Sequence, residues 1–330
     1  MQKETSKTEG ATLQERLEAL PVDERERLEK SWQQLSALIP EGEPPEGLTV
    51  SKVEFSSEEE RKARVEEMHA FLLKAFEGEE MVDPMQMEIG MQHNIVDYYE
   101  ARDAEGKIVS LLSSQMVESK NKAGEDELSM VVWYVANDPE YKGKSVVKEI
   151  GSAALKGFLQ KAQEQLKPVK AVLGEAEMGD EDEVRREKAF NRYADMKRLY
   201  GKDKKGRLTE VLYEAPPEDE STKGAPAHFM AKMVDGSKSM SKEEYVALVR
   251  GIHAQYTRPE YFTPEYFAFL AEQEGEEVNP SDMTPKAIEK YRQRYLKITE
   301  KIDQKIEKSL KSMQGDLVFL SERERREQGS

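Results

Sequence analysis

The chain has 330 residues, 37% hydrophobic and 35% charged, with a net charge of −16 and a mean hydropathy of −0.79. It has no cysteine, which excludes disulfides, thiolate metal sites and a cysteine nucleophile. No apolar run approaches the roughly 18 residues of a membrane span, the start MQKETSKTEG lacks the apolar core of a secretory signal, and the acidity argues against a general nucleic-acid partner. The expectation is a cytoplasmic acidic protein with no membrane and no nucleic-acid partner.

In chain order, residues 1–47 read as a polar tail followed by two short amphipathic helices. Leu13, Leu17 and Leu20 mark the first after a Thr12 cap; Leu28, Trp32, Leu35 and Ile39 mark the second. PEGEPPEG at 40–47 is a linker by composition. The helices either cover the main domain or hold a partner. Residues 48–258 then alternate strands and helices: a strand at Leu48–Phe55, and a helix capped by Ser56 or Ser57 with Val65, Met68, Leu72 and Phe76 on one face. The methionine-rich stretch 81–92 suits an irregular core or groove wall. Two strands around the turn at Asp103–Gly106 form a hairpin.

The central stretch is SMVVWYVANDPEYKGKSVVKEIGSAALKGFLQKA, residues 129–162. It reads as a buried strand (Met130–Ala136), a polar turn with Gly143, and a helix carrying Val147, Ile150, Ala154 and Phe158 on its apolar face. Strand, tight turn and helix aim backbone N–H groups at an anion. Strands at Val169–Glu177, Leu208–Glu214 and His228–Val234 follow, with helical Val184–Ala194 and strand-like Met196–Tyr200 between the first two. Ser241 caps a further helix. Residues 259–330 form a C-terminal helical extension: an aromatic cluster (Tyr261, Phe262, Tyr266, Phe267, Phe269), then a long helix from Pro285 with one apolar stripe from Ile288 to Met313, and a polar tail. The stripe suits either the domain's own flank or a homodimer through this helix.

The element order across about Leu48–Tyr256, with YVANDPEYKGKSVVKEIGSAAL, AFNRYADMKRLYG and Tyr213 ahead of Pro216, resembles the GCN5-related N-acetyltransferase (GNAT) family. The resemblance implies an α+β fold: a mixed, mostly antiparallel seven-stranded sheet flanked by helices and splayed between its fourth and fifth strands. It implies acetyl-CoA or another acyl-CoA as co-substrate in that cleft, and direct acyl transfer to an amine of a small molecule or protein. Pantetheine would pair with the strand at Trp133, Tyr134, Val135 and Ala136. Pyrophosphate would sit on the turn Lys142, Gly143, Lys144, Ser145, Val146 and Val147. The family's turn carries Arg or Gln, then Gly, then Gly or Ala; here those positions are Lys142, Ser145 and Val147. The tyrosine that often acts as general acid aligns with Asn191, and Tyr193 stands two residues on, about 200° around a helix.

Candidate acid–base residues are Glu175, Glu177, Tyr193 and Tyr213. Alternation puts Glu175 and Glu177 on one strand face, where carboxylates could deprotonate an amine or hold a cation; the alternative is a solvated strand end. His69, His93, His228 and His253 show no metal-pair spacing. Gly143–Lys144–Ser145 also ends a nucleotide-binding P-loop pattern, but Asp138 stands where that pattern needs a glycine. Two functions therefore stand: an acyl-CoA-dependent N-acyltransferase, or a catalytically inactive binding or scaffold protein of the same fold.

Overall fold

The computed structural model describes residues 12–42, 44–76, 82–141, 145–177, 207–214, 226–237, 239–273, 279–312 and 317–318. Its centre is a seven-stranded sheet made of β1 (Thr49–Lys52), β2 (Val96–Arg102), β3 (Ile108–Lys120), β4 (Asp126–Asn137), β5 (Val169–Glu177), β6 (Arg207–Glu214) and β7 (Pro226–Met233). The order is β1-β2-β3-β4-β5-β7-β6, and every neighbouring pair is antiparallel except the parallel β4 and β5. This is the mixed α+β, GNAT-like arrangement that the resemblance implies.

Local chemistry sets the first strands. Asp103 Oδ1 accepts the N–H groups of Glu105 (3.0 Å) and Lys107 (2.9 Å), and Gly106 takes φ of 82°, closing the β2–β3 hairpin. Asn121 does the same for β3–β4, accepting from Ala123 and Glu125 ahead of Gly124 at φ 80°. Both faces of β3 and β4 are covered, so their residues are buried almost continuously rather than alternately.

One face carries α5 (Val146–Glu164), whose Ile150, Ala154 and Phe158 meet Leu112, Met130 and Val132. Two N-terminal helices, α1 (Leu13–Glu18) and α2 (Val22–Ser36), join this layer: Leu28, Trp32 and Leu35 are buried in the same cluster, and Trp32 Nε1 donates to the Lys167 carbonyl at 2.9 Å. The sequence left open whether these helices cover the domain; they do.

The opposite face holds two groups. Beside β2 and β3 lie α3 (Glu58–Leu72) and α4 (Pro84–Gln92), packed through Met68, Leu72, Met87 and Met91. The methionine-rich stretch is therefore a helix, started by the Asp83 cap and by Pro84 in its first turn. Beside β3 and β5 lies α6 (Lys242–Tyr256), with Tyr245, Leu248 and Ile252 fully buried. A Cβ at Gly251 would collide with the Glu118 carbonyl of β3, so only glycine admits this close crossing.

The C-terminal elements are α7 (Pro264–Gln273) and α8 (Pro285–Ser312). Ile302, Ile306 and Leu310 of α8 pack with Leu248 and Ile252 of α6, while Tyr291 and Tyr295 meet Phe262 and Phe267. The apolar stripe is thus used on the molecule's own flank. Buried His253 joins Asp303 across the α6–α8 contact at 2.6 Å. A short pair, β8 (Ser239–Met240) with β9 (Leu317–Val318), brings residues 317–318 back to the start of α6. Val184–Ala194, Met196–Tyr200 and the terminal tail lie outside the described residues.

Ser241 begins α6 with a reciprocal cap: its Oγ accepts the Glu244 N–H (3.2 Å), and the Glu244 carboxylate accepts the Ser241 N–H (3.1 Å). Burial opposes ionisation of Glu244, but hydrogen bonds from Lys170 and Ser241 outweigh it and hold the carboxyl below its ordinary value. Ser241→Ala is expected to cost about 1 kcal/mol in urea unfolding. Because the folded value is depressed, the Glu244 share of stability is present above the ordinary glutamate value and is lost as pH falls through the lowered one. The Glu244→Gln penalty measured at neutral pH should accordingly vanish in acid.

Candidate functional site

The site forms where β4 and β5 part. Their parallel pairing runs from Leu128–Val169 to Val132–Gly174 and stops there. Both strands continue: β4 stays paired with β3 as far as Asn137, and β5 stays paired with β7 as far as Glu177. A fork therefore opens, with Trp133–Asn137 on one arm and Glu175–Glu177 on the other. Each arm keeps one hydrogen-bonding edge turned toward the gap.

A bulge on β4 coincides with the fork. Ser113 pairs with Tyr134 and Ser114 with Val132, so Trp133 is an extra residue. The bulge changes which side chains share a face. Val132 and Val135 pack on the α5 side. Trp133 packs with the α6 cluster, and Tyr134 and Ala136 with the α3–α4 cluster. Two consecutive aromatics thus project from the same face at the mouth of the fork. Trp133 donates from Nε1 to Gln115 Oε1 (2.9 Å) and meets Tyr256 edge-on at 5.9 Å. Tyr134 meets Phe76 edge-on at 5.4 Å, and its hydroxyl accepts the Val82 N–H at 3.0 Å, fixing the start of α4 to β4.

The backbone directions follow from three bonds. Tyr134 N–H donates to Ser113 Oγ, the Ala136 carbonyl accepts from Ser110 Oγ, and Asp138 N–H donates to the Val109 carbonyl. Residues 134, 136 and 138 therefore address β3, and alternation turns the amide groups of Val135 and Asn137 into the fork. Asn137 adds a buried side-chain oxygen, Oδ1, with no hydrogen-bond partner. A buried acceptor in that state is costly and marks a place where a donor is expected.

At the base of the fork on the α5 side, Ser145 is the N-cap of α5 in the left-handed conformation, φ 62° and ψ 9°, and its side chain makes no capping bond. The position keeps the backbone shape for which glycine is the usual choice. Val146 and Val147 bury their side chains, Val146 against Ala101 and Val109 and Val147 within the α5 core. Val147 stands where the family's turn has Gly or Ala, and the structure turns its side chain inward. The Lys148 N–H closes the first turn of α5 on the Ser145 carbonyl at 3.0 Å, which leaves the Val146 and Val147 N–H groups without an acceptor inside the helix.

Other groups bear on this end of α5. Lys148 Nζ donates to the Glu41 carbonyl (2.5 Å), and Ser152 Oγ donates to the Pro40 carbonyl (3.2 Å). Glu149, buried, lies 3.6 Å from the Lys148 ammonium and beneath Gly42. The linker 40–42 is thus strapped across the first two turns of the helix.

On the other arm, Ala227 of β7 pairs with both Glu177 of β5 and Tyr213 of β6, so Glu177 and Tyr213 stand in one cross-strand row about 10 Å apart. Glu175 pairs with Phe229, two residues along. Lys142, Gly143, Lys144, Asn191 and Tyr193 lie outside the described residues.

A polar cluster borders the Tyr134 side. Asp83 accepts the Gln86 N–H (2.8 Å) and the Tyr266 hydroxyl (3.2 Å). Burial nevertheless raises its carboxyl above the ordinary value, and burial lowers the nearby His69 imidazole. Burial also drives the Tyr98 hydroxyl well above its usual value, aided by Tyr134, Tyr261 and Asp83. Among the described residues no group of three carboxylates or imidazoles is placed to hold a metal. An open cavity of about 360 Å³, lined by Arg16, Ala19, Leu20 and Leu166, lies at the far end of α5 from the fork.

The bulge at Trp133, the side chain of Asn137 and the strap at Glu41 are the features sequence reasoning missed. Asn137 had one signal, as the first polar side chain after VVWYVA; the other two depend on strand register and on packing between distant segments.

No family model matches the chain, and no curated protein matches it. Among solved structures it is similar to Arabidopsis thaliana NAA60 in complex with acetyl-CoA, at 7% identity and a TM-score of 0.38, covering 57% of this chain and 99% of that one. It is also similar to a GNAT-family acetyltransferase from Streptococcus pneumoniae, at 13% identity and a TM-score of 0.33, covering 56% and 99%. An aminoglycoside acetyltransferase from an uncultured soil metagenomic sample matches at 17% identity and a TM-score of 0.32, covering 47% and 90%.

Proposed function

We propose that this chain is an acyl-CoA-dependent N-acyltransferase, with acetyl-CoA or another acyl-CoA as co-substrate and an amine of a small molecule or protein as acceptor. The observation that carries the reading is the fork: a parallel strand pair that ceases to pair at Val132–Gly174 while both strands run on. The residues present fit the coenzyme. The Val135 and Asn137 amides offer a strand edge to the two amides of pantetheine, Asn137 Oδ1 is an orphaned buried acceptor that an amide donor would satisfy, and the first turn of α5 offers N–H groups and a positive dipole end to the pyrophosphate.

Bound acyl-CoA would supply an activated thioester to an attacking amine. The chain's own part is to hold that carbonyl along β4 and to keep bulk water out with the Trp133–Tyr256 and Tyr134–Phe76 pairs. Glu175 and Glu177 on the β5 arm are the candidates to take the amine proton. Tyr213, in the same row as Glu177, and Tyr193 are candidates to return a proton to the thiolate.

A second reading, a non-catalytic binding protein of this fold, is favoured by the strap. Lys148 is engaged by the Glu41 carbonyl, and the buried Glu149 carboxylate sits four residues into α5, where it opposes a phosphate. Titration calorimetry with acetyl-CoA separates the two. Binding in the micromolar range, with thiol release on adding amines, supports the enzyme. No heat and no thermal stabilisation at millimolar acetyl-CoA would leave the non-catalytic reading.

A further inference from the structure

The long helix α8 presents a second, unrelated surface. Over Pro285–Ser312 it carries nine lysines and arginines against four carboxylates, an excess of five positive charges in a chain whose net charge is −16. The cations are segregated. Lys286, Lys290, Arg294, Lys297, Lys301 and Lys308 are all exposed, and at 100° per residue they fall within an arc of about 80° running about 33 Å along the helix. The apolar stripe opposite is consumed by α6 and by the aromatic cluster. The basic row is therefore the outward side of the helix.

The carboxylates decide what kind of anion fits. Asp303 and Glu307 close the flank against α6, where they meet His253 and Arg250, and exposed Glu289 and Glu300 continue that acidic flank along the helix. The basic surface is thus a track edged along one side by negative charge. A broad polyanion such as a nucleic-acid duplex or an anionic bilayer would bring its phosphates onto exposed Glu289 and Glu300 as well as onto the lysines. A single acidic helix or peptide, with carboxylates every three to four residues, matches the spacing of the row and its width. The cations are nearly all lysines, point charges suited to such a row rather than to bidentate phosphate recognition.

We infer that α8 is a docking track for an acidic segment of a partner protein. This surface stands independently of any acyl transfer.

The test uses the full-length chain and a fluorescein-labelled helical peptide of about 24 residues with glutamate at every third or fourth position. Its anisotropy should show saturable binding at about 50 mM salt that weakens roughly tenfold or more by about 200 mM. Lys290→Glu combined with Lys297→Glu and Lys301→Glu should weaken binding at least about tenfold, and the matching glutamine triple by less, with thermal midpoints unchanged because these side chains are exposed. Absence of binding at low salt overturns the inference. So does equal binding by the glutamate triple, or tighter binding of a duplex RNA of matched length or of vesicles made of equal parts phosphatidylserine and phosphatidylcholine.

Discussion

Trp32→Ala is expected to destabilise the protein by about 3–5 kcal/mol, the cost of emptying a large aromatic site in a packed core. Trp32 is 5% exposed although it lies in a helix that the sequence sets apart from the main αβ pattern. Its ring sits among Leu28, Leu35, Leu155 and Phe158, and its indole N–H donates to the Lys167 carbonyl just before β5. Nearby, Ser31 Oγ accepts the Val169 N–H at 3.2 Å, so α2 also helps to satisfy the first residue of β5. Loss of the ring therefore loosens α2, the outer side of α5 and the start of β5 together. Urea unfolding checks the magnitude. Trp32→Phe, which keeps most of the apolar bulk and loses the hydrogen bond, should recover more than half of it. If Trp32→Ala costs less than about 1 kcal/mol, α1 and α2 are an accessory layer and not part of the core.

Much of the architecture was legible in the sequence because it rests on local signals. The Asp103–Gly106 hairpin and the Ser57 and Ser241 caps are one-segment properties, and each appears where expected. The α4 cap was equally local, in Asp83 and Pro84, but the run of methionines carries no clear helical stripe and drew attention away from it. What could not be read was relational. Nothing in VVWYVAN says that pairing to a strand some forty residues later ends at Val132, or that Trp133 is a bulge. The His253–Asp303 contact likewise joins residues on two helices whose meeting depends on tertiary packing. The turn shows the limit from the other side. Ser145 and Val147 looked like two departures from a phosphate-binding pattern, yet Ser145 adopts a glycine-like conformation and Val147 points into the core. Substituted residue types do not by themselves report which way a side chain turns.

Val135→Pro is expected to weaken acetyl-CoA binding by about tenfold while leaving the fold in place, which separates the backbone reading of the fork from a merely structural one. The reasoning is directional. The amides on either side of Val135 address β3, through Tyr134 N–H to Ser113 Oγ and the Ala136 carbonyl to Ser110 Oγ. Val135 itself turns its N–H into the gap, beyond the last β4–β5 pair. Proline is tolerated in a strand only where the lost N–H faces away from a neighbour, and here it does. Tyr134, the residue before it, is already extended, as a proline requires. A donor lost to pantetheine is worth about 0.5–1.5 kcal/mol, up to roughly tenfold in affinity. The same substitution one residue on, Ala136→Pro, removes an N–H aimed at β3 and should instead lower the thermal midpoint sharply. Calorimetry and a thermal melt of both variants decide the matter. A Val135→Pro protein that binds acetyl-CoA as tightly as the unmodified chain would show that the β4 edge of the fork does not carry the coenzyme.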